Sequence, residues 1–149
     1  MIWTEAKLVA RDPELTAMGP VGMRAVELFC GAGGMSLGLK QAGFELLQAY
    51  DAWDAAVEVY RRNVGSHAWT ADLKNIFEIG PMIASLQPDL ICGGPPCQDF
   101  SAAGQRQERD NAALTRAYAM IVCIARPRWF IMENVTRALS SKAWAEARV

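Results

Sequence analysis

The stretch Arg24-Ala-Val-Glu-Leu-Phe29, followed by Cys30-Gly-Ala-Gly-Gly34, constrains the fold more than any other part of the chain. The first run reads as a buried strand, the glycines as a tight turn, and Met35 to about Ala42 as a helix. The same order then repeats. Leu46 to Tyr50 reads as a second strand, and Asp54 to Asn63 as a helix with Ala56, Val59 and Tyr60 on one face. A short strand near Ala68 to Thr70 precedes a helix over Asn75 to Leu86. Pro88 to Cys92 is another apolar strand, followed by a loop dense in Gly and Pro. Leu114, Ala117, Tyr118, Ile121, Val122 and Ala125 recur at helical spacing, and Pro127 restarts the chain for the strand Trp129 to Met132. Alternating strands and helices imply a parallel sheet covered on both faces, an α/β doubly wound architecture.

At 149 residues and 52% hydrophobic composition the chain can bury one core. Met1 to Gly22 reads as an N-terminal extension, broken by Pro13, Gly19, Pro20 and Gly22, and the domain proper runs over 23–149. Fifteen basic against sixteen acidic residues give no positive field to draw the chain onto phosphates. Cys30, Cys92, Cys97 and Cys123 lie in or beside apolar runs, which suits a reducing, intracellular setting better than disulfide staples. A metal site is not expected: Gly-Gly-Pro-Pro separates Cys92 from Cys97, and the single histidine, His67, has no evident ligand partner. Charges in the first twenty residues and the lack of an apolar run near ~18 residues argue against a signal peptide or a membrane span.

In a doubly wound sheet the ligand lies beyond the carboxyl ends of the strands, where a glycine-rich first turn lets backbone approach it. Phe29 to Gly34 occupies that position, although a plain tight connection has the same composition. Asp51, about twenty residues on, can accept hydrogen bonds from both hydroxyls of a ribose. It could equally serve as a helix cap. Trp53 offers a flat face for an adenine, against the commoner role of a core tryptophan. Asp72 suits an adenine amino group or an ordinary loop. Gly93-Gly-Pro-Pro-Cys-Gln-Asp-Phe-Ser101 follows a buried strand, so Cys97 faces the same edge, with two prolines fixing the backbone before it. Cys92 and Cys123, inside apolar runs, fit the default of small buried hydrophobes. Glu133 ends the last apolar strand, where a carboxylate is either paired structurally or placed for acid–base work.

Phe29-Cys-Gly-Ala-Gly-Gly34, Asp51 with Asn63, Asp72-Leu73, Gly94-Pro-Pro-Cys-Gln98 and Glu133-Asn-Val135 resemble, in order and spacing, consecutive motifs of the DNA cytosine C5-methyltransferase family. The resemblance runs from about Ala25 to Leu139. It implies the Rossmann-like sheet of S-adenosylmethionine-dependent methyltransferases, here incomplete. By that similarity Phe29, Cys30, Gly31, Gly33 and Gly34 hold the cofactor's methionine end and adenine, Asp51 the ribose, and Asp72 the adenine amino group, with Leu73 a further cofactor-binding residue. Gly94, Pro95 and Leu114 line the same pocket. Asn111, where the family usually has arginine, and Asp51, where it more often has glutamate, are mild departures.

The implied chemistry joins the last two motifs. Carbon 5 of cytosine is a poor nucleophile until a thiolate adds to carbon 6, the role expected of Cys97. Charge then builds toward ring nitrogen 3, where the Glu133 carboxyl can neutralise it. The base must be flipped out of the duplex, and Ser101 to Asp110 reads as a mobile loop that closes over it. The family's later arginine motif, its target-recognition region and its final helix motif have no counterpart in the sequence. The expectation is therefore a partial catalytic domain, inactive alone, completed by a second polypeptide that brings DNA recognition, with an apolar edge or face of the sheet left open. The alternatives are a silent S-adenosylmethionine-binding fragment that associates with a homologue, and an RNA cytosine-5 methyltransferase. The expected setting is the cytoplasm of a prokaryote with restriction-modification.

Overall fold

The computed structural model describes residues 22–96 and 105–135. The expected N-terminal extension therefore lies outside the described residues apart from Gly22. In chain order the elements are β1 Arg24–Leu28, α1 Gly34–Gln41, β2 Glu45–Asp51, α2 Asp54–Asn63, β3 Ala68–Thr70, α3 Ile76–Ser85, β4 Leu90–Gly93, α4 Gln105–Ala125 and β5 Trp129–Met132. The strands make one five-stranded sheet in the order β3-β2-β1-β4-β5. All four pairings are parallel. This is the α/β, Rossmann-like arrangement that the sequence implies.

Successive strand residues point to opposite faces, and both faces are covered. Val26, Leu28, Tyr50 and Ile91 pack on one side with Ile79 and Ile83 from α3 and Tyr118 and Ile121 from α4. On the other side, Ala25, Leu90 and Cys92 meet Met35 and Leu39 of α1. Cys30 and Ala49 meet Val57 and Tyr60 of α2. Each fully buried Leu or Ile contributes about 1.5–3 kcal/mol relative to exposure, which is why the strands read as largely apolar runs. The helices α3 and α4 lie close because Gly80 has no side chain: a Cβ there would stand 2.8 Å from Ile124 Cδ1.

From β1 the chain builds outward through β2 and β3, then returns to the other flank of β1 for β4 and β5. The strand order therefore reverses between β1 and β4, and the crevice beyond their carboxyl ends is where such sheets take ligands. Leu28 pairs with Gly93 at that point. A Cβ on Gly93 would lie 2.0 Å from the Leu28 carbonyl oxygen, and φ at Gly93 is 157°. The two strand ends can approach only because residue 93 is glycine.

Several expectations need correction. Residues 105–110, assigned to a mobile loop with Ser101 to Gly104, form the first turns of α4. The segment Gln-Arg-Gln-Glu-Arg is polar but rich in good helix formers, and polarity alone does not distinguish a loop from a solvated helix. Residues 101–104 lie outside the described residues. Val59 is 43% exposed, off the face that Ala56 and Tyr60 bury, because a ten-residue helix turns it toward solvent. Cys123 is exposed although its sequence neighbours are apolar. Among the described residues β5 pairs only with β4 and leaves Trp129, Phe130 and Ile131 at 42%, 61% and 51% exposure. Among the described residues the outer side of this apolar edge strand is unpaired, in line with the expected open edge. No helix among the described residues is long and apolar enough to cross a membrane.

Gly93→Ala is expected to destabilise the chain by about 3 kcal/mol or more, because backbone rather than a movable side chain opposes the new methyl. Urea denaturation of the variant measures this, and an unchanged midpoint would contradict the close approach of β1 and β4.

Candidate active site

Every β-strand ends at the same edge, so the loops beyond Leu28, Asp51, Thr70, Gly93 and Met132 gather there. The first is the glycine turn. Phe29 leaves β1 with φ 58°, Cys30 N donates to Tyr50 O at 3.0 Å, and Gly33 N donates to Cys30 O at 2.9 Å. Gly33 has φ 94°, and a Cβ there would stand 2.6 Å from Val64 Cγ2 and 2.7 Å from Tyr60 Cδ2. Glycine lets the turn seat on α2 and start α1, whose Leu37 N–H donates to Gly33 O. By contrast, a Cβ on Gly31 or Gly34 meets nothing within 4 Å, so the space over the turn is open.

Asp51 ties this turn to β2. Its Oδ2 accepts the Gly31 N–H at 2.8 Å, and its Oδ1 accepts the Trp53 N–H at 2.8 Å. The helix-cap reading of Asp51 gives way to a clamp between two loops: α2 starts at Asp54, with Trp53 in the cap position. Trp53 is 70% exposed, so the core role expected of it is overturned. Asp72 shapes the next loop, accepting Lys74 N at Oδ1 and Asn75 N at its carbonyl, with Lys74 Nζ 3.8 Å from Oδ2. Leu73 is buried in the core beside Val26 and Tyr50. Leu114 is half-buried in α4, one turn before Tyr118.

The fourth and fifth loops meet directly. The register that pairs Gly93 with Met132 puts Glu133 N within 2.9 Å of Gly93 O, and Asn134 Nδ2 donates to Pro95 O at 3.2 Å. A Cβ on Gly94 would lie 2.8 Å from Glu133 Oε2, so the carboxylate occupies the place of a side chain at 94. The sequence separates these groups by about forty residues, and β4–β5 pairing makes them neighbours. Cys97 lies outside the described residues. Of the other thiols, burial pushes Cys30 up to about 12 and Cys92 higher still, so both stay protonated.

One group escaped the sequence reading. Glu27, in the middle of β1, is 3% exposed, and its Oε2 accepts the Ser36 N–H at 3.1 Å and the Ser36 hydroxyl. The Tyr60 hydroxyl donates to Ser36 Oγ at 2.7 Å and lies 2.9 Å from His67 Nε2. A glutamate inside an apolar strand run was the available signal, since a buried carboxylate requires partners. Burial raises its pKa from 4.5 to about 6, against the lowering effect of the Ser36 bonds.

With this geometry in hand, sequence comparison decides the family. The profile of the C-5 cytosine-specific DNA methylases matches residues 23–147. The chain belongs to that family. It is 48% identical over 120 residues to the type II methyltransferase M.HindV of Haemophilus influenzae, a match covering 80% of this chain and 40% of the relative. It is 46% identical over 126 residues to the type II methyltransferase M.HgiGI of Herpetosiphon aurantiacus, covering 84% of this chain and 100% of that protein. A solved, prophage-encoded DNA modification methyltransferase candidate from E. coli superposes with a TM-score of 0.69 at 27% identity, over 85% of this chain and 36% of its own. The chain thus spans about two fifths of some relatives and the whole of another.

The raised pKa of Glu27 has a signed consequence for stability. Between pH 4.5 and about 6 the folded chain holds a proton that the unfolded chain has lost, so this group's contribution is full below 4.5 and declines as pH rises to 6. The decline amounts to about 2 kcal/mol. Glu27→Gln should remove that component, so the wild-type-minus-variant difference in unfolding free energy slopes across this window and is flat above it. A difference that is flat throughout would contradict a buried, titrating Glu27.

Proposed function

We propose that this chain carries the methyl-donor site and the nucleophile of a DNA (cytosine-5-)-methyltransferase, acting on carbon 5 of a flipped cytosine through a covalent Cys97 adduct. The observation that carries this reading is the meeting of Gly94-Pro95 with Glu133-Asn134 at the edge where Asp51 grips the glycine turn. In this reading residues 1–22 are an extension and 23–149 a partial catalytic domain.

The residues fit S-adenosylmethionine. Space is open above Gly31 and Gly34, and the half-buried Asp51 carboxylate, with one amide on each oxygen, keeps lone pairs for two ribose hydroxyls. Phe29, Cys30 and Gly33 shape the turn, the exposed Trp53 offers a ring face for adenine, and Asp72 with Leu73, Gly94, Pro95 and Leu114 complete the holders. When bound, the cofactor supplies an electrophilic methyl group. Cys97 follows Pro96 directly in the sequence. Its thiolate adds to carbon 6 of cytosine, the ring electrons move toward nitrogen 3, and carbon 5 becomes nucleophilic. Glu133 shares a proton with nitrogen 3 and neutralises the developing charge. Once carbon 5 carries the methyl group, removal of its proton lets the carbon–sulfur electrons return to sulfur, which frees Cys97. The protonated Cys30 and Cys92 cannot substitute for it.

Recognition of the DNA target and completion of the cofactor pocket fall to a second polypeptide in this reading. The exposed Trp129, Phe130 and Ile131 on β5 support it, since an apolar edge strand is a ready site for further pairing. The setting is the cytoplasm of a prokaryote, with nucleoid DNA as substrate.

Transfer of labelled methyl groups to DNA should require the C-terminal portion of a relative in addition to this chain. No activity with that portion present would sink the split-enzyme reading, and methylation of RNA alone would move the substrate. In the reconstituted enzyme Cys97→Ser should abolish trapping by 5-fluorocytosine-containing DNA, and Glu133→Gln should slow turnover by about 10²–10³-fold. A persistent covalent adduct in Cys97→Ser would refute the nucleophile.

A further inference from the structure

The charge buried between β1 and α1 has no part in the chemistry above, yet it sits beneath the glycine turn. Glu27 Oε2 takes both the N–H and the hydroxyl of Ser36, in the first turn of α1. The Tyr60 hydroxyl gives its one proton to Ser36 Oγ and so can only accept from His67, which makes His67 Nε2–H a donor. The bonds therefore run one way, from His67 through Tyr60 and Ser36 to the carboxylate, and such chains reinforce each member. They join β1, α1, α2 and the approach to β3 around Gly33, which is wedged against Tyr60 and Val64.

We propose that Glu27 is a positioning residue for the methyl donor: as a carboxylate it anchors the start of α1 through Ser36 and so holds the glycine turn in the shape that receives S-adenosylmethionine. This rests on the cofactor reading above and adds a regulated element to it. Protonation removes the anionic acceptor on which the chain of bonds converges. The groups around Glu27 are Ser36 on α1, Tyr60 on α2, Asp51 at the end of β2, Cys30 after β1 and Cys92 on β4, with His67 reached through Tyr60 and Lys40 facing His67. Asp51 adds to the burial that holds Glu27 near 6, while Ser36 opposes it.

If only the carboxylate form is competent, apparent affinity scales with its fraction, so binding at pH 5 should be about tenfold weaker than at pH 8. Calorimetric titration with S-adenosylmethionine from pH 5 to 8 of the full chain, reconstituted with the C-terminal portion of a relative, tests this, run in parallel on Glu27→Gln so that titration of the ligand itself cancels. The variant should lack the tenfold dependence. Ser36→Ala, which keeps the backbone bond but removes the hydroxyl that stabilises the carboxylate, should move the midpoint to higher pH. A merely structural role would lower thermal stability without moving that midpoint. Equal pH dependence in wild type and Glu27→Gln overturns the proposal alone. Should Glu27→Gln fail to fold, an unmoved midpoint in Ser36→Ala overturns it. Wild-type chain that binds no cofactor at pH 8 even with the C-terminal portion of a relative present overturns the cofactor reading and this proposal together.

Discussion

The approach of β4 to β1 at Gly93 is the contact on which the rest of the edge depends. With a Cβ only 2.0 Å from the Leu28 carbonyl, any residue but glycine would force these central strands apart where they diverge into their loops. Their closeness sets the glycine turn after Leu28 beside Gly94 and Pro95, and β4 in turn brings β5 into register, so Glu133 comes to rest over Gly94. The reversal of strand order is a matter of topology, but the closeness of the two strand ends follows from one missing methyl group.

The two layers that cover the sheet are not equivalent. On the α3 and α4 side the contacts are those of an ordinary core, with the Tyr118 hydroxyl reaching the carbonyls of Ile91 and Ile131. On the α1 and α2 side a carboxylate is buried among alanine, valine and cysteine side chains, and its bonds to Ser36 offset a desolvation cost that an apolar residue would not incur. The same side carries Cys30 and Cys92, whose burial keeps them protonated and leaves the proposed nucleophile to the loop beyond Pro96.

Much was legible in the sequence. Short apolar runs bounded by glycine and proline, and the helical spacing after Asp54 and Leu114, located the elements, because buried strands and amphipathic helices impose these patterns on any sequence. The motifs around Gly31, Asp51, Gly94 and Glu133 identified the family through their order alone. Misreadings arose where composition was the sole guide: a polar segment at 105–110 proved helical, Cys123 and Trp53 proved exposed, and Glu27 passed as one residue in an apolar run. Local composition does not say which side of a helix meets the sheet, nor what lies across from a strand residue.

By itself, then, the sequence determined the α/β alternation and the family, since these reside in local apolar patterning and in motif order. Only the tertiary structure decided that Asp51 clamps Gly31 and that Glu133 lies over Gly94. It also decided that Glu27, Ser36, Tyr60 and His67 form one directed chain of hydrogen bonds. Asp51 with Gly31 and Glu133 with Gly94 are distant in the chain and are brought together by parallel pairing across crossovers, whereas the bonds from His67 to Glu27 form because two helices pack on the same face of the sheet.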